Sequence, residues 1–214
     1  KRKGTEENYA AKISYATIDG NVDQELHNLL REVNINSKIN HPSILKFIGF
    51  SRFDFNHEPK PVIITEYCKN ESLSQIIDLE RKSRALLDDT RKLLTIYGIA
   101  AGMSFLHDHD ILHRDLKPAN ILIDDYFLPK IADFGLSKQI HKKDEAMSLQ
   151  STPGVKGTPV YISPEIYESC NYTKAADVYA FAFIMYEILT NEEPFKKLSP
   201  FQIFNEVLKG HRPD

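Results

Sequence analysis

The chain has 214 residues, enough for one large domain or two small lobes, and 42% of them are apolar. No apolar run reaches the length of a membrane span, and the opening Lys-Arg-Lys-Gly is not followed by the apolar stretch of a signal peptide. A net charge of −3 supplies no broad basic field, which argues against a nucleic-acid binder, while Cys68 and Cys170 are too few for a disulfide framework and point to a reducing, cytoplasmic setting.

In chain order, Tyr9 to Ser14 is a short apolar run with the character of a buried strand. Asp23 to Ile39 carries Leu26, Leu29, Leu30 and Val33 at the spacing of one helical face. His41-Pro42 closes that helix, because a residue before proline is pushed out of the helical region. Ile44 to Phe50 and Val62 to Tyr67 read as further strands, separated by a loop with Asn56, Pro59 and Pro61. This first third is expected to be a small sheet with one helix beside it.

The remainder reads as mostly helical. Asp88 or Asp89 can cap a helix from about Thr90 to His109, with Leu93, Leu94, Tyr97, Ala101 and Phe105 in its apolar stripe. A hairpin is predicted from Asn120–Ile123, a turn at Asp124-Asp125-Tyr126, and Leu128–Ala132. Residues 136 to 157 are polar with little periodicity, and so long a loop is more often functional than inert. Lys174 to Thr190 is strongly apolar and expected to be buried on most sides, and Ser199 to Lys209 is a shorter amphipathic helix. The fold class is therefore α+β, with two lobes meeting near Cys68 to Asn70.

Between the long helix and the hairpin lies "ILHRDLKPANILID", residues 111 to 124, which gathers His113, Arg114, Asp115, Lys117 and Asn120. Any one of these is an ordinary loop residue, and Asp115 and Asn120 could simply bond their own turn. As an ordered set facing Asp133-Phe134-Gly135 at the far end of the hairpin, they have the composition of a phosphoryl-transfer site. Two carboxylates and an amide suit magnesium, which keeps water and substrate phosphates in its shell. Such a reaction needs a base to position the nucleophile, metal over the phosphates and a cation on the transferring group. Asp115 suits the first task, Asn120 and Asp133 the second, and Lys117 the third.

With these motifs the sequence resembles a protein kinase domain along essentially its whole length. His113-Arg114-Asp115 with Asn120 matches the catalytic loop, Asp133-Phe134-Gly135 the metal-binding motif, and Ser163-Pro164-Glu165 the Ala-Pro-Glu that closes the activation segment. The resemblance implies ATP and magnesium as cofactors. It makes Lys12, in "YAAKIS", the lysine that reaches the α- and β-phosphates, and Glu32 its partner on the neighbouring helix. Ala10 would roof the adenine and Leu122 floor it. "VIITEYCKNESL" would be the hinge, with Thr65 guarding the back pocket and the backbone of Glu66 and Cys68 bonding the adenine edge. "DLKPAN", and "GTPVYISPE" with Thr158 matched to the threonine that bonds the catalytic Asp and Lys, resemble serine/threonine kinases, and the hinge and "HPSILKFIGF" their tyrosine-kinase-like branch.

Certain features depart from the family pattern. The Gly-rich loop and the last helices of the larger lobe are not found, so residues 1–68 and 69–214 are expected to be incomplete lobes with poor activity by themselves. Asn36 stands where an apolar residue normally stacks against Phe134. The expected partners are proteins with a Ser or Thr acceptor, and an upstream kinase acting on Ser148, Ser151 or Thr152, whose phosphate Arg114 and Lys138 would receive. A binding scaffold that keeps the fold without turnover, and a small-molecule kinase, are the alternatives. The complete catalytic set speaks against the first, and Lys117 with the long activation segment against the second.

Overall fold

The computed structural model describes residues 7–14, 24–82, 86–139, 157–169 and 171–213. Strands β1 (Tyr9–Ile13), β2 (Phe47–Ser51) and β3 (Val62–Glu66) form an antiparallel sheet in the order β1–β3–β2. The β-branched run Val-Ile-Ile-Thr suits the central position, and Val62 and Ile63 are buried there. Its register sets Lys12 across from Ile63 and Ala10 across from Thr65.

Helix α1 (Gln24–Asn36) stops five residues short of His41-Pro42. It buries Leu29, Glu32, Ile35 and Asn36, whereas Leu30 is 46% exposed. The inward face thus carries an acid and an amide, which is why hydrophobic spacing alone misplaces it. Helix α2 (Leu73–Arg81) was not anticipated by periodicity. Its signal is local: Ser72 and Gln75 form a reciprocal capping box just ahead of Leu73, Ile76 and Ile77, all three buried.

Helix α3 (Asp89–Asp108) is capped by Asp88, whose carboxylate accepts the Arg91 N–H at 2.8 Å. Part of the expected stripe turns outward, since Leu93, Leu94 and Tyr97 are 67, 45 and 70% exposed, while Phe105 packs against the core. The buried face is Thr95, Gly98, Ile99, Gly102, Met103 and Leu106. Two glycines explain this. A Cβ on Gly98 would lie 2.5 Å from Pro129 Cγ, and one on Gly102 2.7 Å from Ile131 Cδ1. The helix meets its neighbours by backbone approach, a face that a search for large apolar residues overlooks.

Those neighbours are the hairpin strands β5 (Ile121–Ile123) and β6 (Pro129–Ile131), preceded by the short strand β4 (Ile111–Leu112), which pairs with β7 (Lys138–Gln139). The hairpin turn is closed by Asp124, whose carboxylate accepts the Tyr126 and Leu128 N–H groups at 2.9 Å. Ile131 donates to the Ser43 carbonyl and accepts from Leu45 N–H, which ties the segment before β2 to the hairpin. Short helix α4 (Pro164–Ser169), α5 (Lys174–Thr190) and α6 (Pro200–Leu208) follow. On α5, Ala176, Ala180, Ile184 and Ile188 are buried, while Val178 and Leu189 are 57 and 61% exposed, so one broad face packs rather than most sides. The main core gathers Ile99, Leu106, Ile121, Ile123, Ile131, Phe134 and Ile184, where α3, the hairpin and α5 converge. Of the expected 136–157 loop, residues 140–156 lie outside the described residues, and Ser148, Ser151 and Thr152 with them.

Candidate active site

The loop after β4 is held from below by one carboxylate. Asp177 of α5 is 3% exposed and accepts the backbone N–H of His113 at 3.0 Å, that of Arg114 at 2.9 Å and Nε2 of His107 at 2.9 Å. His113 is fully buried. Its Nε2 donates to the Ala132 carbonyl at 3.1 Å, and its ring lies 5.3 Å from that of Phe134. Arg114 has φ +69°, a left-handed conformation that costs a non-glycine residue about 1–3 kcal/mol and persists where the surroundings over-determine it. Asp133, at φ +62°, is bent the same way at the other motif.

With its backbone so placed, Asp115 becomes the meeting point of two predicted residues, Lys117 and Asn120. Lys117 Nζ donates to Asp115 Oδ2 at 2.8 Å and lies 3.4 Å from Thr158 Oγ1. Asn120 Nδ2 donates to the Asp115 carbonyl at 2.8 Å and to Oδ2 at 3.0 Å. Asn120 therefore turns its Oδ1 away as the remaining oxygen donor. The Asn120 carbonyl accepts Ala132 N–H at 2.8 Å, which sets Asn120 beside the segment leading to Asp133.

Across the cleft, Lys12 Nζ bonds Glu32 Oε2 at 2.8 Å and Asp133 Oδ1 at 3.4 Å. Glu32 is 6% exposed, and burial drives its carboxyl above the usual carboxylate range although Lys12 opposes the shift. Burial pulls the Lys12 ammonium down, but Glu32 and Asp133 more than offset it and hold it above the ordinary lysine value. A cavity of about 290 Å³ is lined by Lys12, Glu32, Asp115 and Asp133, with Leu29 and Gly135. Four of the expected residues therefore share one space.

The expected adenine set lies outside that lining. Ala10 and Thr65 face each other across β1 and β3, and Leu122 is half-buried on β5, bridged to Ser72. The Glu66 N–H is taken by the Lys46 carbonyl at 3.0 Å, and its carboxylate accepts Lys46 N–H at 2.7 Å. Only the Glu66 carbonyl, which also accepts the Thr65 hydroxyl at 3.1 Å, keeps capacity toward a ligand. Among the described residues nothing bonds the Cys68 N–H. Its side chain is a free thiol that burial, with Glu66 nearby, pushes up to about 12, so it is unreactive at neutral pH.

Among the described residues no three His, Cys, Asp or Glu side chains converge to hold a metal unaided. Asn120 Oδ1 and the Asp133 carboxylate are hard oxygen donors, a chemistry that suits magnesium better than zinc.

Residues 1–212 match the protein kinase domain family. The chain belongs to that family. It is 36% identical over 95% of its length to the probable serine/threonine-protein kinase drkC of Dictyostelium discoideum. It is 34% identical over 86% to the serine/threonine-protein kinase CTR1 of Arabidopsis thaliana, and 36% over 90% to receptor-interacting serine/threonine-protein kinase 2 of Bos taurus. The chain spans 26, 21 and 36% of the lengths of those three proteins. Its small antiparallel sheet and mainly helical remainder are this kinase fold.

Sequence reasoning passed over two features of this kinase domain. Asp177 was a detectable one: a carboxylate in the otherwise apolar "KAADVYAFAFIMYEILT" must be buried and must therefore be bonded. Arg31, whose guanidinium donates to the Gly135 carbonyl at 3.3 Å, left no comparable trace. Among the described residues no helix is long and apolar enough to cross a membrane.

Proposed function

We propose that this chain is the ATP- and magnesium-dependent phosphotransfer domain of a protein serine/threonine kinase working in the cytoplasm, with residues 1–68 as one lobe and 69–214 as the other. The observation that carries this is the convergence of Lys117 and Asn120 on Asp115, across one cavity from Lys12, Glu32 and Asp133. Asp115 accepts the proton of the substrate hydroxyl as its oxygen attacks the γ-phosphorus and the bond to the ADP oxygen breaks. Lys117 offsets charge on the transferring group, and its approach to Thr158 orients it toward a Ser or Thr acceptor. Lys12, steadied by Glu32, holds the α- and β-phosphates. Asn120 Oδ1 and Asp133 would hold magnesium, which neutralises phosphate charge when bound. The Glu66 carbonyl and the Cys68 N–H bond the adenine edge between Ala10 and Leu122, with Thr65 behind.

Regulation falls to the segment after Asp133. Phosphate on Ser148, Ser151 or Thr152, added by an upstream kinase, would meet Arg114 and Lys138. Arg114 keeps a buried Nε that finds no partner among the described residues, and its guanidinium lies 4.4 Å from the Tyr172 ring centroid. Burial depresses its pKa, an unfavourable state that a phosphate would relieve.

Asp133→Asn in the full-length protein tests the assignment. Transfer to a Ser/Thr peptide should fall by about 10³-fold, the scale of one lost electrostatic stabiliser, while the melting temperature holds. Near-normal turnover with magnesium would remove Asp133 from the site. Nucleotide binding without transfer in the parent protein would favour the scaffold reading.

A further inference from the structure

A second and much smaller cavity, of about 20 Å³, lies beside the catalytic loop. Arg114, Ser163 and Asp177 bring polar groups to its wall, and Ile162 and Ile166 bring apolar ones. Two of the polar atoms are orphans. Ser163 is 1% exposed, and its Oγ has no hydrogen-bond partner among the described residues. The same is true of the buried Arg114 Nε.

Local chemistry explains both. Ser163 stands just ahead of α4, where a serine hydroxyl usually accepts an N–H of the first turn. Here the Ser163 carbonyl takes the Ile166 N–H at 3.1 Å, and Pro164 has no N–H to offer, so the hydroxyl makes no cap. Arg114 is held by its backbone N–H on Asp177 at 2.9 Å and by its guanidinium face, 4.4 Å from the Tyr172 ring centroid, and neither contact uses the Nε–H. Leaving a buried donor and a buried hydroxyl unpaired carries the full desolvation cost of each. Apolar cavities stay dry, but a polar one takes up water once it offers about 10–15 Å³ and two partners. This one meets both conditions, and it is far too small for an organic ligand.

We infer that this cavity binds one water, which accepts the Arg114 Nε–H and donates to Ser163 Oγ. Ser163 is thereby a positioning residue. Acting through the water, it fixes the rotation of the Arg114 guanidinium within the plane that Tyr172 sets, and it ties the start of α4 to the catalytic loop. Alanine, which the family motif carries at this position, would lack the acceptor. The water stands apart from the kinase reading, whereas its consequence for turnover rests on that reading.

The first test is a crystal structure of the full-length protein at a resolution that shows ordered water. One water should lie about 2.7–3.2 Å from both Arg114 Nε and Ser163 Oγ, and Ser163→Ala should lose it. A parent cavity without that water overturns the inference. The second test is transfer to a Ser/Thr peptide by Ser163→Thr and Ser163→Val, which match in shape and differ by the hydroxyl. Ser163→Thr should keep the parent rate, and Ser163→Val should fall about three- to tenfold, the scale of one hydrogen bond. Ser163→Ala should cost as much in the parent and add nothing on an Arg114→Lys background, because both changes break one bridge. If the extra methyl keeps Thr and Val variants from folding, this cycle decides. Equal rates for Thr and Val, or additive losses in the cycle, overturn the positioning role even with the water in place. No transfer to any peptide by the parent overturns the kinase reading, and the crystal structure alone then decides the water.

Discussion

On the catalytic-loop side of the cleft, Asp115 is placed by backbone N–H groups that converge on Asp177, 3% exposed, whereas across the cleft Lys12 is placed by the tips of two other side chains and is itself 56% exposed. Backbone bonded to a buried carboxylate has one geometry, because leaving any partner unpaired costs about 1–3 kcal/mol. An ion pair with one end in solvent holds its geometry loosely, because water competes for the exposed Lys12 ammonium, so it positions without locking. One wall of the site is built as scaffold, the other as an adjustable clamp. The difference teaches that stability and activity should respond separately to changes on the two sides.

The hardest blow to the scaffold is Asp177→Ala. It strips the acceptor from two N–H groups and His107, and urea titration of the full-length protein should show a loss of about 3–5 kcal/mol. A loss below about 1 kcal/mol would mean that Asp177 is no anchor.

Glu32→Gln strikes the clamp. Phosphotransfer should drop roughly 10- to 100-fold as Lys12 loses its orientation, the scale of a small misplacement. Stability should hold or rise slightly, because burial already disfavours the ionised carboxylate. Parallel falls in rate and stability would erase the contrast between the two walls.

Asn36→Leu sharpens it. Asn36 is 5% exposed on α1 and its buried Oδ1 has no partner among the described residues, so an apolar replacement should stabilise by about 1 kcal/mol in thermal melts. Destabilisation would show that the amide is satisfied in solution.

The smallest effect is a pH dependence. The folded chain keeps the Glu32 proton above the ordinary 4.5, so the stability tied to this group falls as pH rises from 4.5 through its raised value. Activity needs the charged Lys12–Glu32 pair and should rise over the same window. Melts and rates between pH 4 and 7 should therefore move in opposite directions, by about 1.4 kcal/mol per pH unit at most for one proton. In Glu32→Gln this component of both slopes should vanish.

Much of the site was legible because its chemistry needs particular side chains at fixed separations within a short segment. Asp115, Lys117 and Asn120 lie on one turn, so their meeting is local geometry that spacing already implies. Strand β1 was legible as a short apolar run, β3 through its β-branched residues, and α3 through its Asp88 cap. The pairing of Lys12 with Glu32 came from likeness to a family, since a separation of 20 positions along the chain carries no distance information. Which face of α3 turns inward was decided only in three dimensions: Gly98 and Gly102 allow the hairpin to approach, and close approach outweighs the apolar stripe of Leu93, Leu94 and Tyr97. The same holds for Asp177. A buried charge is visible in sequence as an oddity, but its partner is chosen by whichever element packs against it, and the cost of leaving it unpaired enforces that choice.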